Sequence, residues 1–340
     1  MSFCPETAGC LIDLHLHLDG SLSTDTAKRL AAKQGILLPR DRELQERLQV
    51  GDNCRDLNDY LKKFEFPLSL LQTADAIATA VFDLKQRLQQ QGVMYAEIRF
   101  APQLHTRQGL TQTEAVEAAI QSSARCDLDS GLILCCMRGQ NNTTENLETV
   151  RVAKKYLGKG VCAVDLAGAE GIYPNSLFEQ EFALAATFGV PYTIHAGEAD
   201  GPDSVWSALR MGASRIGHGV RATEEPSLMN ELARCGVALE LCPTSNLHTA
   251  VFNDLTEYPL RILMNHGVKV TVNTDNMTVS NTTLRKEWRR LMDTFALTQE
   301  EIYTILRNAA EASFADRETK QKMETVLKTV FAIDKTRQSS

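Results

Sequence analysis

Short apolar runs rich in Val, Ile and Leu alternate along this chain with segments whose apolar positions recur every three to four residues. Eight runs have the length and composition of buried strands: residues 11–18 (LIDLHLHL), 93–100 (VMYAEIRF), 132–138 (LILCCMR), 161–166 (VCAVDL), 191–196 (PYTIHA), 214–219 (SRIGHG), 237–242 (VALELC) and 268–275 (VKVTVNTD). The segments between them carry helical signatures. Residues 73–91 are the clearest, with Thr73 at the N-cap position, Ile77, Val81, Leu84 and Leu88 on one stripe, and Gly92 at the end. Apolar strands alternating with helices predict an α/β protein with a parallel sheet covered by helices, and the count of eight favours a (β/α)8 TIM barrel. The rival, a doubly wound open sheet, usually carries G-x-G-x-x-G after its first strand, and that pattern is missing here.

The stretch from Asp19 to Gly92 is longer than one crossover helix needs. Its helical pieces near residues 24–34, 41–49 and 56–66 predict a helical insertion after strand 1, which a barrel places at its mouth. Residues 281–334 read as extra C-terminal helices with charged outer faces. No linker or internal repeat interrupts the pattern, so a single barrel domain over residues 1–340 is expected.

Composition narrows the function classes. A hydrophobic fraction of 43% with 23% charged residues supports a sizeable core. The net charge of -7, spread without blocks of one sign, argues against a nucleic-acid partner. The chain lacks an apolar stretch of about 18 residues, so no membrane span is expected. Nine cysteines, an odd number without C-x-x-C spacing, suggest a reducing compartment. The expectation is a cytoplasmic protein acting on a small molecule, with no protein partner implied.

Barrel enzymes keep their chemistry at the C-terminal ends of the strands, and metal-binding or titratable residues gather there in this sequence. His15 and His17, two apart on the first strand, share one face. His195, His218 and Asp275 close the fifth, sixth and eighth runs. An isolated H-x-H can be mere core packing, but five candidate ligands from distant strand ends point to a catalytic metal. Histidines with a carboxylate suit zinc and leave a position for water. Glu198, three residues past His195, can reach the same pocket as a general acid if burial keeps it protonated; the alternative is a first-turn glutamate of a helix beginning near Asp203. His105, His248 and His266 lack such company and read as structural or solvent-exposed, and Cys135 and Cys136 as packed thiols.

Taken together, DLHLHLDGS (13–21), YAEIRFAP (95–102), LCCMR (134–138), DLAG (165–168), HAGE (195–198), GHG (217–219) and NTD (273–275) resemble the adenosine deaminase family of the amidohydrolase superfamily, from about residue 11 to residue 315. The resemblance implies one Zn2+ held by His15, His17, His195 and Asp275, with Glu198 as proton donor and His218 holding or deprotonating the attacking water. It also implies that Asp19 and His17 meet the ribose 5'-hydroxyl, that the Gly168 amide faces purine N3, and that Leu57, Tyr60, Leu61 and Phe64 form a helical flap. For those four, ordinary helix packing is an equal alternative. The implied reaction is hydrolytic deamination of adenosine and 2'-deoxyadenosine in purine salvage. The H-x-E and P-C-x-x-C motifs of nucleic-acid deaminases are missing, which points to a free nucleoside.

Three positions depart from the common family pattern. Asn276 and Met277 stand where a second aspartate and a proline usually follow the metal-binding aspartate. The Asn276 amide can donate to purine N7 without needing a proton, or it can turn away and only shape the loop. Ala169 stands where an acidic residue is frequent. These departures leave open a related 6-aminopurine substrate (adenine, methylated adenosine or aminodeoxyfutalosine), or a nucleoside-binding barrel without catalysis.

Overall fold

All eight apolar runs form strands in the computed structural model, which describes residues 4, 9–51 and 54–332. They are β1 (Leu11–His17), β2 (Val93–Phe100), β3 (Asp129–Met137), β4 (Val161–Ala167), β5 (Thr193–Ala196), β6 (Arg215–His218), β7 (Ala238–Leu241) and β8 (Val270–Val272). Every neighbouring pair is parallel, β1 to β4 in one ladder and β5 to β8 in the other. Parallel bridges join the two ladders at both edges, Val164 with Tyr192 and Leu16 with Asp275. Backbone bonds stitch these seams: Val164 N donates to Pro191 O (3.0 Å), His17 N to Asp275 O (2.7 Å) and Asp275 N to His15 O (2.8 Å). The strands therefore run in sequence order around an α/β barrel.

Alternation along the strands separates two interiors. Leu14, Leu16, Ile98, Leu166, Ile194, Ile216 and Leu239 join the apolar core shared with the helices. The alternate positions His15, Glu97, Arg99, Asp165, His195, Arg215 and Glu240 are buried and polar. Arg99 donates to Asp165 and Glu240, both at 2.9 Å, and Arg215 to Glu97 (2.5 Å) and Glu240 (2.6 Å). Each charge has a partner at short range, because a buried charge left alone costs about 3–5 kcal/mol. This ionic floor lies beneath the strand ends that carry the candidate site.

The helices start where local chemistry stops strands. Thr73 Oγ accepts from Ala76 N and begins helix Ala74–Gln90. The insertion contains Thr24–Gln34, Asp41–Leu48 and Leu57–Leu61, the last continuing through a 3-10 turn at Lys62–Phe64 into Glu65–Leu70. Leu284–Phe295, Gln299–Ala312 and Arg317–Val330 are the C-terminal helices; residues 333–334 of the expected helical tail lie outside the described residues. The largest shortfall from an apolar run is in the last strand: β8 stops at Val272, and Asp275 lies beyond it with φ 57°. Just past the strand, Asn273 N still donates to Leu241 O (2.9 Å), while its Oδ1 accepts from Leu14 N (2.9 Å) and so ties β7 to β1.

His105 is structural. It is fully buried, its Nδ1 sits 2.6 Å from Leu71 O, and burial lowers its pKa to about 4. The unfolded chain takes up this proton near pH 6.5, before the folded one does, so the contribution is complete above that value and is lost as pH falls towards 4. The expected penalty from this group is about 2 kcal/mol at pH 5. Urea unfolding at pH 7.5 and pH 5 checks it: His105→Gln should lose less stability over this interval than the parent, and an equal loss would refute the assignment.

Candidate active site

The ends of β1, β5 and the β8 loop bring His15, His17, His195 and Asp275 together, with one ligand atom from each lying within 4.8 Å of the others. His17 Nε2 and His195 Nε2 are 3.3 Å apart, and Asp275 Oδ1 is 3.4 Å from the Nε2 atoms of both His15 and His17. The far sides of two rings are fixed by carboxylates: His15 Nδ1 is 2.7 Å from Glu240 and His195 Nδ1 is 3.0 Å from Asp165. Such partners keep the hydrogen on Nδ1 and leave the Nε2 lone pair free. His15 Nε2 is buried without a hydrogen-bond partner, a costly arrangement for a polar atom unless something binds it. Burial pushes the pKa values of His15 (to about 4) and His17 down, towards the neutral ligand form. For Asp275, burial favours the acid, but the close imidazoles, His15 first, outweigh it and hold the carboxyl well below the usual range. Three inward nitrogens and one anionic oxygen fit a divalent cation.

Two residues at this centre have left-handed backbones, His218 (φ 60°) and Asp275 (φ 57°), conformations that bulky side chains adopt at a cost and that cluster at functional sites. His218 Nε2 lies 3.5 Å from Glu198 Oε2, and Asn246 Nδ2 donates to His218 Nδ1 (3.1 Å). Glu198 is 4% exposed, and burial raises its pKa. Its Oε1 accepts from Asn246 Nδ2 (3.3 Å) and Thr249 Oγ1 (3.2 Å). The next helix begins at Pro202, so Glu198 stands outside it and the first-turn explanation fails.

These groups open on a cavity of about 280 Å³ whose wall includes His17, Asp19, Gly168, Glu198, His218, Asp275 and Asn276. Leu57, Tyr60, Leu61 and Phe64, one stripe of the insertion, cover it. Tyr60 is pinned by its hydroxyl, 2.6 Å from Ser280 Oγ, and Phe64 meets His17 edge-on at 6.4 Å. Burial lifts the Asp19 pKa to about 6. Asn276 lines the cavity, is 2% exposed and packs so tightly on Gly20 that a Cβ there would lie 1.8 Å from its Oδ1. Gly168, in the same wall, has φ 111°, a region that favours glycine. A larger depression of about 650 Å³ between the insertion helices, walled by Glu46, Lys62, Lys63 and Phe66, has no such convergence of groups.

Sequence reasoning missed several members of this site. Leu68 and Leu104 line the cavity from the short helix Glu65–Leu70 and the 3-10 turn Pro102–His105, too short for a periodic signal to single them out. Arg138 closes the LCCMR motif; its guanidinium donates to Tyr173 O, Asn175 Oδ1 and His195 O, each at 2.6 Å. Glu170, next to the atypical Ala169, is buried and accepts from the backbone of the Glu198 loop. An arginine and a glutamate inside otherwise apolar stretches were the available signals. Cys135 and Cys136 are buried as expected, Cys135 against the cavity.

The profile of the family described as adenosine deaminase matches residues 10–330. An adenosine deaminase of Haemophilus ducreyi is 48% identical over 92% of this chain and 94% of its own, and one of Enterococcus faecalis is 39% identical over 91% and 93%. Among solved structures, the adenine deaminase of Arthrobacter aurescens superposes with TM-score 0.85 at 26% identity, covering 94% of this chain and 98% of its own. An amidohydrolase from Burkholderia ambifaria with bound zinc shares the fold, with TM-score 0.84 at 22% identity over 96% and 92%. With its motifs at the strand ends, its histidine and aspartate cage and these relatives over nearly its whole length, the chain belongs to the adenosine deaminase family.

Proposed function

We propose that this protein hydrolytically deaminates adenosine and 2'-deoxyadenosine to inosine and 2'-deoxyinosine, using one Zn2+ held by His15, His17, His195 and Asp275. The observation that carries the reading is the juxtaposition of this inward-facing cage with buried Glu198 in one nucleoside-sized cavity, within an adenosine deaminase family chain. Zinc, when bound, supplies the Lewis acidity that makes water nucleophilic near neutral pH. Glu198 keeps its proton through burial and gives it to ring N1 as water oxygen adds to C6 and the N1=C6 electron pair moves to nitrogen. Its Oε1 already accepts from Asn246 and Thr249, so the proton belongs on Oε2, the oxygen nearer His218. One proton of the added oxygen passes to the amino group, the C6–N bond breaks with its electron pair leaving as ammonia, and as C6=O forms the second proton of that oxygen returns to the Glu198 carboxylate. Because Asn246 donates to His218 Nδ1, the imidazole hydrogen sits on Nε2; His218 therefore holds the water by donating to it. The Gly168 amide serves N3, Asn276 serves N7, and the Leu57 to Phe64 stripe excludes solvent.

The cavity favours a nucleoside over a nucleotide. Asp19 and His17 stand where the 5'-hydroxyl is expected, and a phosphate there would face the Asp19 carboxylate. Arg138, which also lines the cavity, already donates to Tyr173, Asn175 and His195. Loss of the adenine chromophore should show kcat/KM for adenosine above that for AMP by about 10³-fold or more, as expected for like charges brought together. Preferred turnover of adenine or N6-methyl-AMP in the same panel would move the protein to a sibling activity, and nucleoside binding without turnover would make it a non-catalytic barrel.

The same reading takes residues 1–340 as one domain, supported by the large apolar cluster that joins insertion residues Leu22, Leu44 and Leu71 to the strands. It places the enzyme in cytoplasmic purine salvage. Among the described residues, no helix is long and apolar enough to cross a membrane.

A further inference from the structure

Glu170 performs no step of the reaction proposed above, yet its carboxylate is the most heavily bonded acceptor around the site. Oε1 accepts from Gly197 N (2.6 Å) and Ser204 Oγ (2.5 Å). Oε2 accepts from Glu198 N (3.0 Å), Ala199 N (2.8 Å) and Asp200 N (3.2 Å). It is 2% exposed; burial would favour the acid, but Arg138, Ser204 and the backbone donors outweigh it, so the group is ionised. One anion thereby gathers four successive amides of the loop that carries Glu198. Glu170 itself stands two residues after Gly168 on the loop after β4.

We propose that Glu170 is a positioning residue that sets the separation between the Gly168 amide and the Glu198 carboxyl, so that the N3 donor and the N1 acid meet one purine ring together. The inference rests on the roles given to Glu198 and Gly168 in the proposed function. Two loops from different strand ends would otherwise move independently, since five residues separate Ala196 of β5 from the helix that begins at Pro202. Arg138 reinforces the joint from the β3 side by holding His195 O and Asn175, and Asn175 Nδ2 donates to Ser204 O (2.8 Å). The acid needs this placement most when C6 becomes tetrahedral, so the effect falls on kcat more than on KM.

Glu170→Gln tests the assignment while preserving shape. A glutamine has one acceptor oxygen, so its NH2 must face at least one loop amide whichever way it lies. In the metal-loaded protein, kcat for adenosine should fall about 10–100-fold while KM stays within about threefold and metal content is unchanged. Added to Glu198→Gln, the same change should cost less than about twofold, because the residue it positions can no longer donate a proton. Equal losses in both backgrounds, an unchanged kcat, or loss of metal would overturn the inference. If Glu170→Gln does not fold, Ser204→Ala carries the test: about threefold lost in kcat in the parent and none with Glu198→Gln supports it, and equal effects in both overturn it. Full turnover by Glu198→Gln alone would instead refute the acid role itself, so the two failures are distinguishable.

Discussion

Glu198→Gln is expected to lower kcat for adenosine by about 10²–10⁴-fold, the usual worth of a placed general acid, with KM changed only a few-fold. The amide is nearly isosteric with the acid, and its oxygen can still accept from Asn246 and Thr249 as Glu198 Oε1 does. What it lacks is a proton to give to ring N1 when charge develops there. Glu198 is outside the histidine and aspartate cage, so the variant should retain its metal. Steady-state kinetics with metal analysis by mass spectrometry decides the matter; a variant that turns over like the parent sinks the acid assignment.

Removal of the metal should have an effect at least as large. Chelation is expected to abolish measurable turnover, and Asp275→Ala to lose about 10³-fold or more together with stoichiometric metal. Asp275 is the anionic member of the cage, and its Oδ2 is tied to Ser245 Oγ at 2.5 Å, which presents Oδ1 towards His15 and His17. Without the cation, His15 Nε2 remains buried and unpartnered, so stability should fall as well. Binding to the folded state alone contributes about 4 kcal/mol when free metal is at a thousand times its Kd. Thermal unfolding and turnover should both recover when zinc is returned to the parent, but not to Asp275→Ala. Undiminished turnover by thoroughly chelated protein would remove the metal from the mechanism.

Much of this site was legible in the sequence because β-strands have a period of two. His15 and His17 had to share a face of β1, and Glu198 and His218 stood beside apolar runs that set their depth. The Leu57, Tyr60, Leu61 and Phe64 stripe was visible as a helical face, but whether it packed on the insertion or roofed a cavity was not, because periodicity tells which residues share a face and not what that face meets. Asp275 shows a similar limit. It was read as the end of the eighth strand, whereas β8 stops at Val272 and the aspartate is held in a left-handed turn by bonds to β1.

The sequence by itself determined the α/β barrel pattern and the donors available at its strand ends, since both follow from local periodicity and residue chemistry. Only the tertiary structure decided the partners reached across long separations: Glu240 behind His15, Asp165 behind His195, Asn246 between Glu198 and His218, and Glu170 beneath the Glu198 loop. The physical reason lies in burial. A lone charge inside a protein is too costly to persist, so each must find an opposite charge or hydrogen-bond donors, but which of several it finds depends on how the strands close round the barrel.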